Sequence, residues 1–367
     1  MMNPSIFNEI SAKTLEIYIS RNDYGVDYMY KKIFPSKYVT SLLYQTLIGA
    51  QGNPVIADVV SYDASAPEKS RKTISILTGA IPAIKILRRM TEVQINQYLN
   101  QKNDPRIDKD ALLKVIFNDI DYCFTGLEGQ KEWMCHQLLS QGFIAYDSTN
   151  NAGVVTENNI DFQLPAANKR KVKSATGTRV WNNGTAANYL PITDIEVIVA
   201  AARALGIKLK YLLMNYTKWA QFRAATEVIQ YVGGLTTAIR TPTLNEVNVV
   251  MAAQGLPKIV LMDALLNIET AEHVITATNP WVTKYVTFIP ETILGNMLEA
   301  PIAAEQLNLP QTKKVRKGNA LVLKYSTLNP VNEITEGQIN AFPSFPSIDR
   351  CIRFDTEATP EADGLDD

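Results

Sequence analysis

Apolar residues in the middle of the chain recur at steps of mostly three and four. Leu113, Ile116, Ile120, Cys123, Leu127, Met134 and Leu138 form the series. That period lines one face of an α-helix. Asp104 supplies a cap and Pro105 a first-turn proline, and no further proline occurs before Gly142, the expected stop. Such a helix would be about 50 Å long at 1.5 Å per residue. Gly126 and Gly129 interrupt it and mark a bend or a close approach. No sustained heptad runs through it and its neighbours have strand composition. One long helix laid lengthwise on a sheet is therefore expected, rather than a coiled coil.

Before it, residues 4–21 predict a short amphipathic arm helix with Ile10, Leu15 and Ile17 apolar, and residues 38–47 a strand. Residues 55–62 and 73–77 are β-rich runs separated by the polar stretch 63–70, a long hairpin with a polar tip. Its strands carry too little apolar bulk for a core, so the hairpin needs another surface to lie on. Residues 142–164 alternate around Asn150, Asn151 and Gly153, a second hairpin. Residues 165–188, with Lys169, Arg170, Lys171, Lys173 and Arg179, read as a polar linker and domain boundary.

After it, helix and strand patterns alternate. Thr193 to Glu196 and Thr243 to Glu246 read as capping boxes opening helices that stop at Gly206 and Gly255. Residues 217–228 predict a helix, and 210–214, 259–265, 284–289, 320–326 and 349–354 strands. Residues 355–367 hold acidic and no basic residues, a solvated tail.

The 367 residues carry 36 Lys+Arg against 37 Asp+Glu, and a net charge of -1 argues against a dedicated DNA-binding protein. The length allows two or three domains, and 46% hydrophobic residues exclude a disordered scaffold. The apolar runs fall short of the roughly 20 residues of a membrane helix. No signal peptide is visible, and three cysteines suit a reducing compartment, so a soluble intracellular protein is expected.

Catalytic chemistry is sparse. His136 and His273 are the only histidines. Glu132 and His136, four apart, read as helix surface rather than as a metal site, which would want Glu-x-x-His repeated on a second helix. Cys123, Cys135 and Cys351 lack clamp spacing and read as packing residues. No nucleophile elbow, P-loop or dinucleotide fingerprint occurs. Neither enzyme activity nor a cofactor or metal is expected. The basic groups Lys169 to Arg179 and Lys313, Lys314, Arg316 and Lys317 read as solvated loops ahead of DNA-facing ones. Trp219 and Phe222 read as core rather than as a base-stacking platform. For Glu68, Lys69, Arg71 and Lys72 at the hairpin tip, a solvated tip and intersubunit ion pairing both stay open.

Three stretches, in this order around the long helix, carry a resemblance. They are SAPEKSRKTISILTGAIPAIKILRRMTEVQ (65–94), KYLLMNYTKWAQFRAA (210–225) and FIPETILGN (288–296). The chain resembles the lambda-type major capsid proteins, the capsid protein E family with the Hong Kong 97-like fold. In the third stretch Glu291 stands where Asp is usual, and residues 169–188 and 307–318 have no clear counterpart.

The resemblance implies an α+β fold with an N-terminal arm (1–37), an extended hairpin loop (48–80) and an acidic tail (355–367). It implies a peripheral domain with the spine helix (38–47, 81–188, 312–340) and an axial domain (189–311, 341–354). It implies pentamers and hexamers closing an icosahedral shell around double-stranded DNA of a tailed phage, assembled in host cytoplasm. Portal, scaffolding or decoration proteins would be partners, DNA contact weak and non-specific, and no membrane involved. The hairpin would reach over a neighbour, with residues 210–286 around the local symmetry axis. A cellular nanocompartment shell of the same fold is the alternative, and a two-domain α/β enzyme a more distant one.

Overall fold

A computed structural model describes residues 12–25, 27–48, 75–103, 109–147, 150–151, 158–172, 180–181, 189–233, 240–269, 273–307 and 312–357. The chain forms two compact units. The first comprises Met1–Tyr44, Thr78–Met134 and Asn296–Ser344, the second Gln45–Leu77, Cys135–Gly295 and Phe345–Asp367.

The first unit is built on a mixed sheet around one long strand, Val331–Ser344. Ala320–Leu328 folds back on it from Leu328 opposite Val331 to Leu321 opposite Gln338. Ala83–Thr91 pairs antiparallel along Asn332 to Asn340, and Asn296–Ala300 along its last five residues. Lys313–Lys317 and Ser36–Tyr38 complete the sheet. The spine helix runs from Lys109 to Gln141 and stops before Gly142 as expected, while its expected start at Asp104 and Pro105 lies outside the described residues. Ile120, Cys123, Leu127, Met134 and Leu138 are all buried.

Gly126 is a point of close approach. A Cβ there would lie 2.5 Å from Ile86 Cδ1. Gly337 faces the same side chain, and a Cβ on it would stand 3.0 Å from both Ile86 Cγ2 and Cys123 Cβ. The helix can lie this near the sheet only because neither position has a side chain.

The second unit holds a five-stranded sheet in the order Lys169–Lys171, Ile352–Asp355, Tyr285–Ile289, Tyr211–Met214, Lys258–Leu261. Its outer pairs are parallel and its inner pairs antiparallel. Helices Pro191–Ala204, Tyr216–Ala224, Thr226–Gly233 and Leu244–Ala253 contribute to one core with Trp181, Leu212, Phe222, Met251, Phe288 and Ile352. Trp219 and Phe222 belong to that core, as expected. The predicted hairpin after Gly142 is present as Phe143–Tyr146 paired with Asn158–Asp161.

Several local expectations shift. The box at Thr243 forms with both of its hydrogen bonds. The box at Thr193 does not, because Pro191 starts its helix two residues earlier. Glu227 does the capping instead: Ile192 N and Thr193 N donate to it at 2.6 and 3.1 Å, and Thr193 Oγ1 at 2.6 Å. The helix predicted over 217–228 is broken at Ala225, whose extended backbone separates two helices.

The strand predicted over 38–47 is two: Ser36–Tyr38, and Leu43–Ile48, which pairs with Ser75–Ala80. The polar linker is partly structural. Lys169–Lys171 is an edge strand, Asn168 Nδ2 donates to Asp349 O and Cys351 O, and Trp181 Nε1 donates to Asp194 at 3.0 Å.

Candidate shell-forming surfaces

The tip residues Glu68, Lys69, Arg71 and Lys72 lie outside the described residues, as do all but the end of the 53–77 hairpin. What is described at its base is the ribbon Leu43–Ile48 with Ser75–Ala80. Tyr44 fixes one end, buried with its ring stacked 4.7 Å from Phe342. Leu43 is 70% and Ile76 60% exposed, so the ribbon presents apolar side chains to the outside. A second ribbon, Leu266–Glu269 with Ile275–Thr278, does the same with Leu265 and Ile275.

A surface that sequence reasoning missed runs along the spine helix. Phe117, Asp121, Phe124, Glu128 and Glu132 follow at steps of four, three, four and four and so share one helical face. On that face lies the N-terminal strap. Tyr18 OH donates to Asp121 at 2.6 Å and Tyr24 OH to the same carboxylate, while their rings stack on Phe117 and Phe124. Tyr30 OH donates to Glu128.

Glu132 accepts from the backbone N–H groups of Met29 and Tyr30 at 2.9 and 2.8 Å. Those groups open the short helix Tyr30–Ile33, so the carboxylate sits at its positive end. Lys131 reaches Glu128 at 2.6 Å and Glu299 at 3.2 Å, and its ammonium lies 5.0 Å from the Tyr30 ring centre. Ser36 and Asn319 donate to Glu299 at 2.8 and 2.6 Å. Burial, then the neighbouring carboxylates, push the phenols of Tyr24 and Tyr30 above their ordinary value. The sequence signal was the six-residue spacing of Tyr18, Tyr24 and Tyr30 against Asp121 and Glu128, two helical turns apart.

Glu132 and His136 are therefore not helix surface. Both are fully buried, and His136 stands edge-on to Trp281 at 6.0 Å. Among the described residues no group of three or more His, Cys, Asp or Glu could hold a metal, and no helix is long and apolar enough to cross a membrane. Cys123, Cys135 and Cys351 are buried and form no disulfide among the described residues, and burial pushes the Cys123 thiol up to about 12.

The basic run at residues 313–317 is an edge strand, not a loop, and its charges are engaged within the chain. Lys314 Nζ donates to Ala304 O and Glu305 O, Arg316 pairs with Glu305, and Lys317 Nζ donates to Ile19 O at 3.1 Å. In the 288–296 stretch, Glu291 accepts from Arg350 at 2.8 Å.

A spine helix laid on one sheet, a second α/β unit and exposed two-stranded ribbons make up the Hong Kong 97-like fold seen in solved capsid proteins. A crystal structure described as a capsid protein of an Escherichia coli CFT073 prophage matches with a TM-score of 0.56 at 12% identity, covering 94% of this chain and 99% of that one. A phage-related protein from Bordetella bronchiseptica RB50 matches at 0.51 and 13%, covering 95% and 98%. No curated protein sequence matches.

Residues 33–262, well over half of the chain, match the family model of phage major capsid protein E. The chain belongs to that family. It is a structural protein that self-assembles into the capsid of a virion, not an enzyme, and the two-domain enzyme alternative is set aside.

Proposed function

We propose that the chain assembles as pentamers and hexamers into a closed icosahedral shell around the double-stranded DNA of a tailed phage, in the cytoplasm of the host. The observation that carries this reading is the ribbon Leu43–Ile48 with Ser75–Ala80, anchored at Tyr44 yet presenting Leu43 and Ile76 to the outside. An isolated two-stranded ribbon is marginal in water, so a neighbour's surface supplies its missing layer.

In this arrangement residues 1–37 are the arm, 48–80 the loop over the neighbour, and 355–367 the tail. The unit built on Val331–Ser344 serves as the peripheral domain, and the unit holding the five-stranded sheet as the axial domain. Glu68, Lys69, Arg71 and Lys72 make ion pairs with the neighbouring subunit. DNA contact is weak and non-specific, and portal, scaffolding or decoration proteins are further partners.

Size-exclusion chromatography and negative-stain microscopy of the purified chain test this, with capsomers or closed particles expected. In particles from infected or induced cells, nuclease-protected DNA and attached tails are expected. A small oligomer that never forms particles would overturn the shell, and particles filled with protein cargo instead of DNA would overturn the genome-container reading.

A further inference from the structure

Among the described residues the strand Ala83–Thr91 has one strand partner, Val331–Ser344, and no strand on its other edge. Strand edges of this kind accept an extended segment from another chain. Along the strand, Ile86 and Arg88 face the spine helix: Ile86 lies under Gly126, and Arg88 pairs with Asp119 at 3.2 Å and lies over the Tyr122 ring. Lys85, Leu87 and Arg89 alternate with them and are exposed. Leu87 is 47% exposed, and neither Lys85 nor Arg89 has an ion-pair partner among the described residues. The exposed face thus reads basic, apolar, basic at a period of two. Beyond Arg89 a groove of about 270 Å³ opens toward Gln94, Gln97 and Gln101 of the helix Glu92–Asn103. Those amides suit the polar groups of a peptide backbone.

The complement is in the chain itself. Its end reads Asp363, Gly364, Leu365, Asp366, Asp367, so Asp363, Leu365 and Asp367 are acidic, apolar, acidic at the same period. The root of this tail is held. Lys218 Nζ lies 2.7 Å from Glu357, Thr356 Oγ1 donates to Lys284 O at 2.7 Å, and Trp181 N donates to Thr356 O at 2.9 Å. From Glu357 the ten remaining residues span up to about 33–36 Å when extended.

We propose that the acidic C-terminal segment of a second copy of this chain adds as a strand to the open edge of Ala83–Thr91. Leu365 lies over Leu87, and Asp363 and Asp367 sit opposite Lys85 and Arg89. Cross-strand pairs of this kind, one apolar and two of opposite charge, are the unit that stabilises a sheet and sets its register. The choice of a second copy, rather than the same chain, rests on the shell reading, which crowds copies side by side. The strand edge and the charge pattern do not depend on it.

Cysteine trapping in full-length protein tests the contact, since the three native cysteines are buried. Chains carrying Leu87→Cys are mixed with chains carrying Leu365→Cys and mildly oxidised. A disulfide-linked heterodimer is expected on a non-reducing gel. Lys85→Glu with Arg89→Glu on the first chain should cut its yield about tenfold, the weight of one or two charge-assisted contacts. Asp363→Lys with Asp367→Lys on the second chain should restore it.

No heterodimer, or an equal yield when Val249→Cys replaces Leu87→Cys as an exposed control in the other unit, would overturn the proposal. So would a doubly substituted chain that closes only within itself at high dilution. A charge reversal that weakens binding to a DNA duplex while leaving the cross-link unchanged would assign Lys85 and Arg89 to nucleic acid instead. Microscopy of the same preparation separates the two readings. Normal shells without the cross-link sink this contact alone, whereas the cross-link without shells sinks the assembly reading.

Discussion

Glu132→Ala tests whether the strap is held by the spine helix or merely rests on it. The carboxylate is fully buried and receives two backbone N–H groups, from Met29 at 2.9 Å and Tyr30 at 2.8 Å. Alanine leaves both donors without that partner in a place water reaches poorly. An orphaned buried donor costs about 1–3 kcal/mol, so the two together cost about 2–4 kcal/mol once the partial exposure of Met29 is allowed for. At roughly 2 °C per kcal/mol for a protein of this size, the melting temperature should fall by about 4–8 °C. Glu132→Gln keeps one acceptor oxygen and turns an amide N–H toward the other donor, so its loss should lie between. Differential scanning fluorimetry gives the shift, and hydrogen exchange locates it, with faster exchange at Met29 and Tyr30 and little change in Tyr211–Met214. A Glu132→Ala protein with an unchanged melting temperature and unchanged exchange at those two amides would refute the capping argument.

Three further outcomes follow from the same contacts. The phenols of Tyr24 and Tyr30 have folded-state pKa values raised above the ordinary value of 10.0, so their contribution is complete below about pH 10 and is lost as pH rises beyond it. Absorbance at 295 nm should show delayed ionisation, and strap amides should lose protection above pH 10; simple titration near 10 with a flat melting temperature would contradict this. Gly126→Ala places a Cβ 2.5 Å from Ile86 Cδ1 and should cost about 1–3 kcal/mol, with Ile86→Ala coupled to it in a double-mutant cycle; additive losses would mean the two do not touch. Replacing residues 61–73 by a short Gly/Ser turn should leave a cooperatively melting protein that forms no closed shells, and normal shells by electron microscopy would remove the loop's intersubunit role.

What could be read from the sequence depended on whether a signal is local. The spine helix was legible because its stripe repeats over seven positions and ends at Gly142. Gly142, Gly206 and Gly255 all take the positive φ that a helix stop demands. The longest strand, Val331–Ser344, was not legible, because VNEITEGQINAFPS mixes polar residues with a glycine and a proline and is buried on both faces only through its partners. Glu132, Lys131 and Lys324 were equally hidden. A charged residue on a helix or strand reads as solvent-facing, and only tertiary neighbours reveal otherwise. Lys324 reaches Thr335 at 3.0 Å across the strand pair, and burial lowers its pKa. The capping box at Thr193 misled because its pattern is local while its rival, Glu227, lies 34 residues away.

Ile86 stands between two positions that have no side chain, Gly126 on the helix and Gly337 directly opposite it on the paired strand. Most helix–sheet contacts are cushioned by side chains that change rotamer when the backbones shift. Here one methyl-bearing wedge meets two bare backbones, and no rotamer of the helix residue can absorb a displacement. Sliding the helix along its axis brings a side chain toward the space that only hydrogen now fills, so resistance rises steeply within a fraction of an ångström. Force applied along the spine helix therefore passes into the sheet as a load on one block instead of dissipating in repacking. In a capsid wall, that makes this part of the subunit a stiff plate and leaves bending to segments that lack such a wedge.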